Sequence, residues 1–130
     1  MNALVTNGLL EKVNLIIVSD HGMTDITNVV TVTNFLNLND TEIEVVETGP
    51  YLALNVFSTD SDKMEKVFNS VKGMPYGTAY KKEQFPERLH YRKHSNIPQF
   101  IVLGNEGTYY NVCYLIAILP SNVSAIFTLY

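Results

Sequence analysis

One stretch predicts the fold of this chain, and it reads Val13-Asn-Leu-Ile-Ile-Val-Ser-Asp-His-Gly-Met23. The run Val13–Val18 is apolar and largely β-branched, which is typical of a strand buried on both faces in a parallel sheet covered by helices. Ligands gather at the carboxyl ends of such strands. Gly22 lets the backbone leave the sheet, so that the side chains of Asp20 and His21 can turn toward one point. We therefore predict half of a zinc-type metal site there, with the nearest nitrogen and oxygen roughly 3–4 Å apart.

Length and composition indicate one ordinary globular domain. A chain of 130 residues suffices for one modest core, and 46% apolar with 17% charged residues excludes a disordered chain. The net charge is −4, from 9 basic and 13 acidic residues, and no basic stripe follows the chain, so we expect no nucleic acid to wrap around it. A single cysteine excludes an internal disulfide.

The rest of the chain alternates strand and helix patterns. Met64, Val67, Phe68 and Val71 recur at helical spacing after several N-cap candidates, and Gly73 follows, so a helix is predicted here. Other predicted elements are the end of a helix within 1–12, a turn or strand near 29–36, strands at 42–47, 51–57, 77–82 and 99–103, and a short helix at 83–89. This order indicates an α/β fold or an α+β insert rather than a helical bundle.

The chain changes character near its end. Glu106 is the last charged residue, and the remaining sequence to Tyr130 is uncharged. We therefore expect a domain over 1–107 and a divergent tail over 108–130 that packs poorly. Pro120-Ser-Asn122 interrupts the apolar tail, which argues against a transmembrane helix.

Two blocks of sequence carry a family resemblance. Leu15-Ile-Ile-Val-Ser-Asp-His-Gly-Met23 resembles the metal motif of the ectonucleotide pyrophosphatase/phosphodiesterase family, in the alkaline phosphatase superfamily. Tyr80–Tyr91 and Asn96–Gly107 resemble the downstream part of the same catalytic domain, and the likeness covers Leu4 to about Gly107. The resemblance implies a fragment of an alkaline-phosphatase-like α/β domain, with a mainly parallel sheet and a small α+β insert.

The resemblance also implies a two-zinc hydrolase of phosphodiester or pyrophosphate bonds in nucleotides or related phosphoesters. Only Asp20 and His21 carry over, as ligands of one of the two zinc ions. The family's threonine nucleophile and other upstream ligands match nothing in this chain, and the histidine segment expected after Glu106-Gly107 is missing. We therefore assign no catalytic or cofactor-binding residue, expect at most part of one zinc site, and expect the isolated chain to be inactive.

Two other functions stay open at this point. The chain is alternatively a non-catalytic structural or interaction fragment, self-associating through an exposed sheet edge, or a phosphomonoesterase or sulfatase-like relative. The resembled family enters the secretory pathway and usually sits at the cell surface. No signal peptide is visible here, so we expect a fragment of a larger domain. Two glycosylation sequons, at Asn39 and Asn122, give slight support to a secretory location.

Some residues invite assignments that we do not favour. His90 and His94 would share one face only if a regular helix held them, and Pro98 follows soon after. His90 is expected to be structural. Thr24 lies close to the metal motif, but a turn hydroxyl is the expected role, since the family's nucleophile belongs to another strand end.

Overall fold

The structure is a computed structural model that describes residues 1–112. Its strands are β1 (Asn28–Thr31), β2 (Ile43–Glu47), β3 (Tyr51–Val56), β4 (Gly77–Lys81), β5 (Phe100–Gly104) and β6 (Thr108–Asn111). Its α-helices are α1 (Asn2–Thr6) and α2 (Ser61–Lys72), and 3₁₀ turns cover Val32–Asn34, Lys82–Gln84 and Glu87–Leu89.

The strands form two sheets. The larger sheet is antiparallel with the order β2-β3-β5-β4, and the smaller one pairs β1 with β6 in parallel. A bridge between Gly49 and Tyr110 links the turn before β3 to β6, with N···O distances of 3.0 and 2.6 Å. The two sheets are therefore joined where the chain turns from β2 to β3.

Helix α2 forms for reasons that are local in sequence. The Asp60 carboxylate accepts a hydrogen bond of 2.8 Å from the backbone N–H of Asp62, which caps the first turn. Val67, Phe68 and Val71 fall on one buried face. The helix ends at Lys72, directly before Gly73.

The core lies between α2 and one face of the larger sheet. Alternate residues of β3 point into it, which is the two-residue period expected of a strand with one face against a core. Fully burying one Val, Leu or Phe side chain contributes roughly 1.5–3 kcal/mol to the free energy of folding. The buried apolar residues of this cluster on β3, β5 and α2 are Leu52, Leu54, Val56, Phe100, Val102, Val67, Phe68 and Val71.

Most predicted elements are confirmed to within a residue or two. The strands predicted at 42–47, 51–57, 77–82 and 99–103 are β2, β3, β4 and β5, and the region near 29–36 holds β1 and a 3₁₀ turn. The helix predicted at 83–89 is wrong, because Pro86 separates two 3₁₀ turns and cannot donate a helical hydrogen bond. At the start of the chain, α1 is only five residues long and buries none of them.

The predicted buried strand Val13–Val18 is wrong for this chain. The segment has no regular secondary structure, and the exposed fractions of Ile16, Ile17 and Val18 are 80%, 81% and 82%. A strand buried on both faces needs neighbouring strands at both edges and a cover over each face. Within residues 1–112, nothing supplies these neighbours.

The expectation of poor packing from residue 108 onward is wrong for Thr108–Asn111. These residues form β6, and Tyr110 is completely buried. The described residues thus show no structural break at Gly107, and the sequence boundary proposed there stays a prediction. The apolar tail weighed as a transmembrane segment lies almost entirely outside the described residues. Among residues 1–112, no helix is long and apolar enough to cross a membrane.

Candidate functional site

The side chains of Asp20 and His21 lie close together on an irregular segment. His21 Nε2 is 3.2 Å from Asp20 Oδ2, and the His21 backbone N–H donates to Asp20 Oδ1 at 3.0 Å. The Asp20 side chain is 84% exposed, whereas that of His21 is 24% exposed. The expected strand end is therefore absent, although the carboxylate and imidazole lie at the expected separation.

The hydrogen bonds of the imidazole favour one arrangement of its nitrogens. His21 Nδ1 is 2.8 Å from the carbonyl oxygen of Gly22, so a proton on Nδ1 would be donated to that oxygen. Nε2 faces the Asp20 carboxylate, and it is the nitrogen that a metal ion held between the two side chains would bind. Two ligands bound to tetrahedral zinc at about 2.0–2.1 Å lie about 3.3 Å from each other. The pair therefore has a separation suited to two ligands of one metal ion.

Gly22 does not have the role expected of it. It is absent from the residues with positive φ, and a Cβ atom added there would meet nothing within 4 Å. In this chain the motif bends at Asp20 without a backbone conformation that demands glycine. Asp20 and His21 therefore lie close together without a turn that requires glycine.

The turn between β5 and β6 anchors the segment that follows the motif. Thr24 Oγ1 donates to Glu106 Oε1 at 3.2 Å, and the Gly107 carbonyl accepts from the backbone N–H groups of Thr27 and Asn28 at 2.9 and 3.0 Å. Thr24 thus lies on an irregular segment, and its hydroxyl bonds to the distant Glu106 instead of serving as the expected turn hydroxyl. Sequence reasoning missed the anchoring role of Glu106, although Gly107 between two strand-like runs was a turn signal.

Gly107 is required by the geometry of this anchor. Its φ is +76°, and an added Cβ atom would lie 2.5 Å from Thr27 Oγ1 and 3.1 Å from the Asp25 carbonyl oxygen. Both the backbone conformation and the close approach of residues 25–27 therefore favour glycine.

The other histidines do not join the pair into a metal site. His90 follows a 3₁₀ turn with φ of +51°, so no regular helix connects it to His94. His94 Nδ1 accepts from the Asn96 backbone N–H at 3.2 Å. Among residues 1–112, no group of three or more His, Cys, Asp or Glu side chains is placed to hold a metal ion.

Asp20 and His21 could therefore supply some of the ligands of a zinc site, but they do not form a complete site. Catalytic zinc takes three protein ligands plus water, and Asp20 and His21 supply two. The role of this pair as metal ligands stays a prediction, and we derive no chemical step through a metal in this chain.

A cavity of about 240 Å³ lies on the face of the larger sheet opposite α2. Its lining is apolar and aromatic, with Arg88 as the one charged residue: Tyr51, Phe85, Arg88, Leu89, Tyr91, Ile101 and Leu103. Burial, together with the neighbouring Tyr91 and Glu47, raises the pKa of the Tyr51 hydroxyl above its usual value. Neither Asp20 nor His21 lines this cavity, so it is separate from the candidate metal ligands.

Comparison with known proteins identifies relatives of the chain. The family model described as type I phosphodiesterase / nucleotide pyrophosphatase matches residues 1–121. Human ectonucleotide pyrophosphatase/phosphodiesterase family member 7 is 31% identical over 112 residues, which is 81% of this chain and 24% of the relative. The bis(5'-adenosyl)-triphosphatase of Xenopus laevis is 29% identical over 111 residues, which is 82% of this chain and 23% of the relative.

Solved structures agree with the sequence comparisons. Human ectonucleotide pyrophosphatase/phosphodiesterase 5 superposes with a TM-score of 0.71 at 29% identity, covering 85% of this chain and 29% of the solved one. The murine protein, as an inactive variant in complex with AMP, gives the same TM-score, identity and coverage. These neighbours confirm the predicted α/β class with its alkaline-phosphatase-like fold, as a mixed sheet with helices. Within residues 1–112, however, the strands pair mainly antiparallel, and only β1 and β6 pair in parallel, so the mainly parallel sheet is not seen there. The chain spans about a quarter of the length of the curated relatives that it matches.

Proposed function

Because this chain belongs to the type I phosphodiesterase / nucleotide pyrophosphatase family, we propose that it is part of the catalytic domain of a metal-dependent hydrolase acting on nucleotide phosphodiester or pyrophosphate bonds. Asp20 and His21 are its contribution to one zinc site. The observation that carries this proposal is the 3.2 Å separation of His21 Nε2 and Asp20 Oδ2 within a family-like sequence motif. The nucleophile and the remaining ligands would come from the rest of such a domain.

Three further points belong to this proposal. Nucleotides are the proposed substrate class, supported by the AMP complex of the murine relative. A larger parent protein would reach the cell surface or the extracellular space. The isolated chain would not turn over substrate, because two metal ligands without a nucleophile cannot complete the reaction.

A graft tests the assignment of Asp20 and His21. Residues 1–112 of this chain would replace the matching segment of the Xenopus laevis bis(5'-adenosyl)-triphosphatase, and hydrolysis of bis(5'-adenosyl) triphosphate and zinc content would be measured. We expect Asp20→Ala and His21→Ala each to lower activity more than 100-fold, an effect of about 2.7 kcal/mol or more, and to reduce bound zinc. Asp25→Asn, an exposed carboxylate outside the motif, is the matched control and should leave both values unchanged.

The isolated chain provides a second measurement that does not depend on the graft folding. It should not hydrolyse a nitrophenyl nucleotide diester above background with added zinc, nor bind zinc tightly and stoichiometrically. Zinc-dependent turnover that disappears in Asp20→Ala would show that this chain holds a complete site. Unchanged activity of a folded Asp20→Ala graft would remove the metal-ligand assignment.

A second candidate function is self-association through Val13–Val18. The observation that favours it is the exposure of this apolar run, since soluble domains rarely leave contiguous apolar surface uncovered. Size-exclusion chromatography distinguishes the two candidates, because Ile17→Asp should convert an associating chain into a monomer. A monomeric unmodified chain would rule out self-association.

A further inference from the structure

We propose that Asn39 is an N-glycosylation site of this protein. The sequon Asn39-Asp-Thr41 lies in the turn that leads into β2, and both Asn39 and Thr41 are exposed. This inference goes beyond the proposed catalytic function and rests only on the secretory location proposed with it. A sequence match alone is weak, so the local structure carries the argument.

The turn holds its shape without the Asn39 and Thr41 side chains. The Asp40 N–H donates to the Asn37 carbonyl at 3.2 Å, the Ile43 N–H to the Asp40 carbonyl at 3.0 Å, and the Glu42 N–H to Asp40 Oδ1 at 3.0 Å. Within residues 1–112, neither the Asn39 amide group nor the Thr41 hydroxyl takes part in a side-chain hydrogen bond. A sugar on Asn39 Nδ2 would therefore replace no native interaction.

The middle residue of the sequon fixes the direction of its two neighbours. The Asp40 carboxylate lies 2.7 Å from Lys63 Nζ on α2, and Glu42 also pairs with that ammonium group. Asp40 is thus held against the helix, whereas Asn39 and Thr41 on either side remain exposed to solvent. A bulky glycan at Asn39 would extend into solvent and not into the core.

The modification is a group transfer from a lipid-pyrophosphate-linked oligosaccharide, catalysed by an oligosaccharyltransferase. Asn39 Nδ2 forms a bond to the anomeric carbon of the first sugar, while the bond from that carbon to the pyrophosphate oxygen breaks. The lipid pyrophosphate leaves with the bonding electron pair, and the amide loses one proton to solvent. The Thr41 hydroxyl is the third element of the acceptor sequence.

The test expresses the full 130-residue chain behind a cleavable secretory leader in mammalian cells, so that it does not depend on the native location. The background variant is Asn122→Gln, which removes the second sequon. We expect a mobility shift of one glycan, reversed by peptide-N-glycosidase and lost in both Asn39→Gln and Thr41→Ala. Thr41→Ser keeps the sequon and is the matched control, so the shift should persist in it.

Mass spectrometry of the secreted background protein gives a readout that needs no further variant to fold. After enzymatic deglycosylation in heavy-oxygen water, the peptide that contains Asn39 should carry a labelled aspartate, whereas Asn37 should be unmodified. An unlabelled Asn39, or a mobility shift that survives Asn39→Gln, would overturn the proposal. Catalytic activity enters neither measurement, so failure here leaves the proposed function untouched.

Discussion

Replacement of Tyr110 tests whether β6 is part of the folded core. The side chain is 0% exposed, and its hydroxyl donates to the Pro75 carbonyl at 3.3 Å. Its ring lies so close to Gly77 and Gly104 that an added Cβ at these positions would come within 2.2 Å of the Tyr110 hydroxyl and 3.3 Å of its Cε2. Tyr110 thus fills the junction between the two sheets.

The expected magnitudes follow from what each substitution removes. Tyr110→Ala removes a completely buried aromatic ring and should lower the free energy of unfolding by about 3–5 kcal/mol. Tyr110→Phe keeps the ring and loses one long hydrogen bond, which should cost about 0.5–1.5 kcal/mol. A domain of this size is stable by about 5–15 kcal/mol in total, so the alanine variant is expected to lose a large share of its stability.

Urea denaturation of the full chain, followed by circular dichroism, measures these differences. Phe57→Ala is the control, because this aromatic side chain is 63% exposed and its loss should change stability by less than about 0.5 kcal/mol. If Tyr110→Ala costs no more than Phe57→Ala, then β6 does not belong to the core and the reasoning fails.

The pH dependence gives a second readout of Tyr110. Burial raises the pKa of its hydroxyl to about 12 from 10.0. A group whose pKa is raised by folding stabilises the folded state below its unfolded pKa, and this contribution is lost as the pH rises through the folded pKa. Tyr110→Phe should therefore lose less stability than the unmodified protein between pH 10 and about 12.

Three further substitutions test local features. The Lys63 ammonium group lowers the pKa of Asp40 below 3.8, so the stability this pairing provides is present above pH 3.8 and lost as the pH falls through the folded pKa. Lys63→Met should thus lower the melting midpoint at neutral pH, and the difference in midpoint from the unmodified protein should become smaller as the pH falls below 3.8. The exposed control Lys66→Met should show no such pH dependence. Gly107→Ala should cost about 1–3 kcal/mol in urea denaturation, because alanine is strained at φ of +76°; an unchanged midpoint would contradict the anchor. Asp60→Ala should lower the free energy of unfolding by about 1 kcal/mol, because the α2 cap is lost. Asp60→Asn should keep most of this stability, because the asparagine side-chain oxygen can accept the same hydrogen bond.

Helix α2 and the positions of strands β2 to β5 could be predicted because their signals are local. The helical spacing of Val67, Phe68 and Val71 and the cap at Asp60 lie within a few residues of each other. The alternating pattern of β2 and the turn around Gly49 likewise act over short distances. Short-range hydrogen bonds and one-sided burial fix such elements before distant contacts form.

The candidate metal ligands were also predictable as residues, though not in their surroundings. Asp20 and His21 are adjacent in sequence, so their 3.2 Å separation needs only a local bend. Whether a strand precedes them depends on partners from distant parts of a chain. Those partners are not among the described residues, and an apolar run such as Ile16–Val18 cannot by itself supply them.

The sequence by itself determined the family motif, the positions of strands β2 to β5 and the helix α2, but not the antiparallel pairing of those strands. Only the tertiary structure decided that Val13–Val18 forms no strand, that β6 closes the core, and that Glu106 and Gly107 hold the segment after the motif. The β1–β6 pairing joins residues that are 80 positions apart, as in Asn28 and Thr108. Such contacts depend on which surfaces meet after the chain has folded, and no local pattern of residues contains that information.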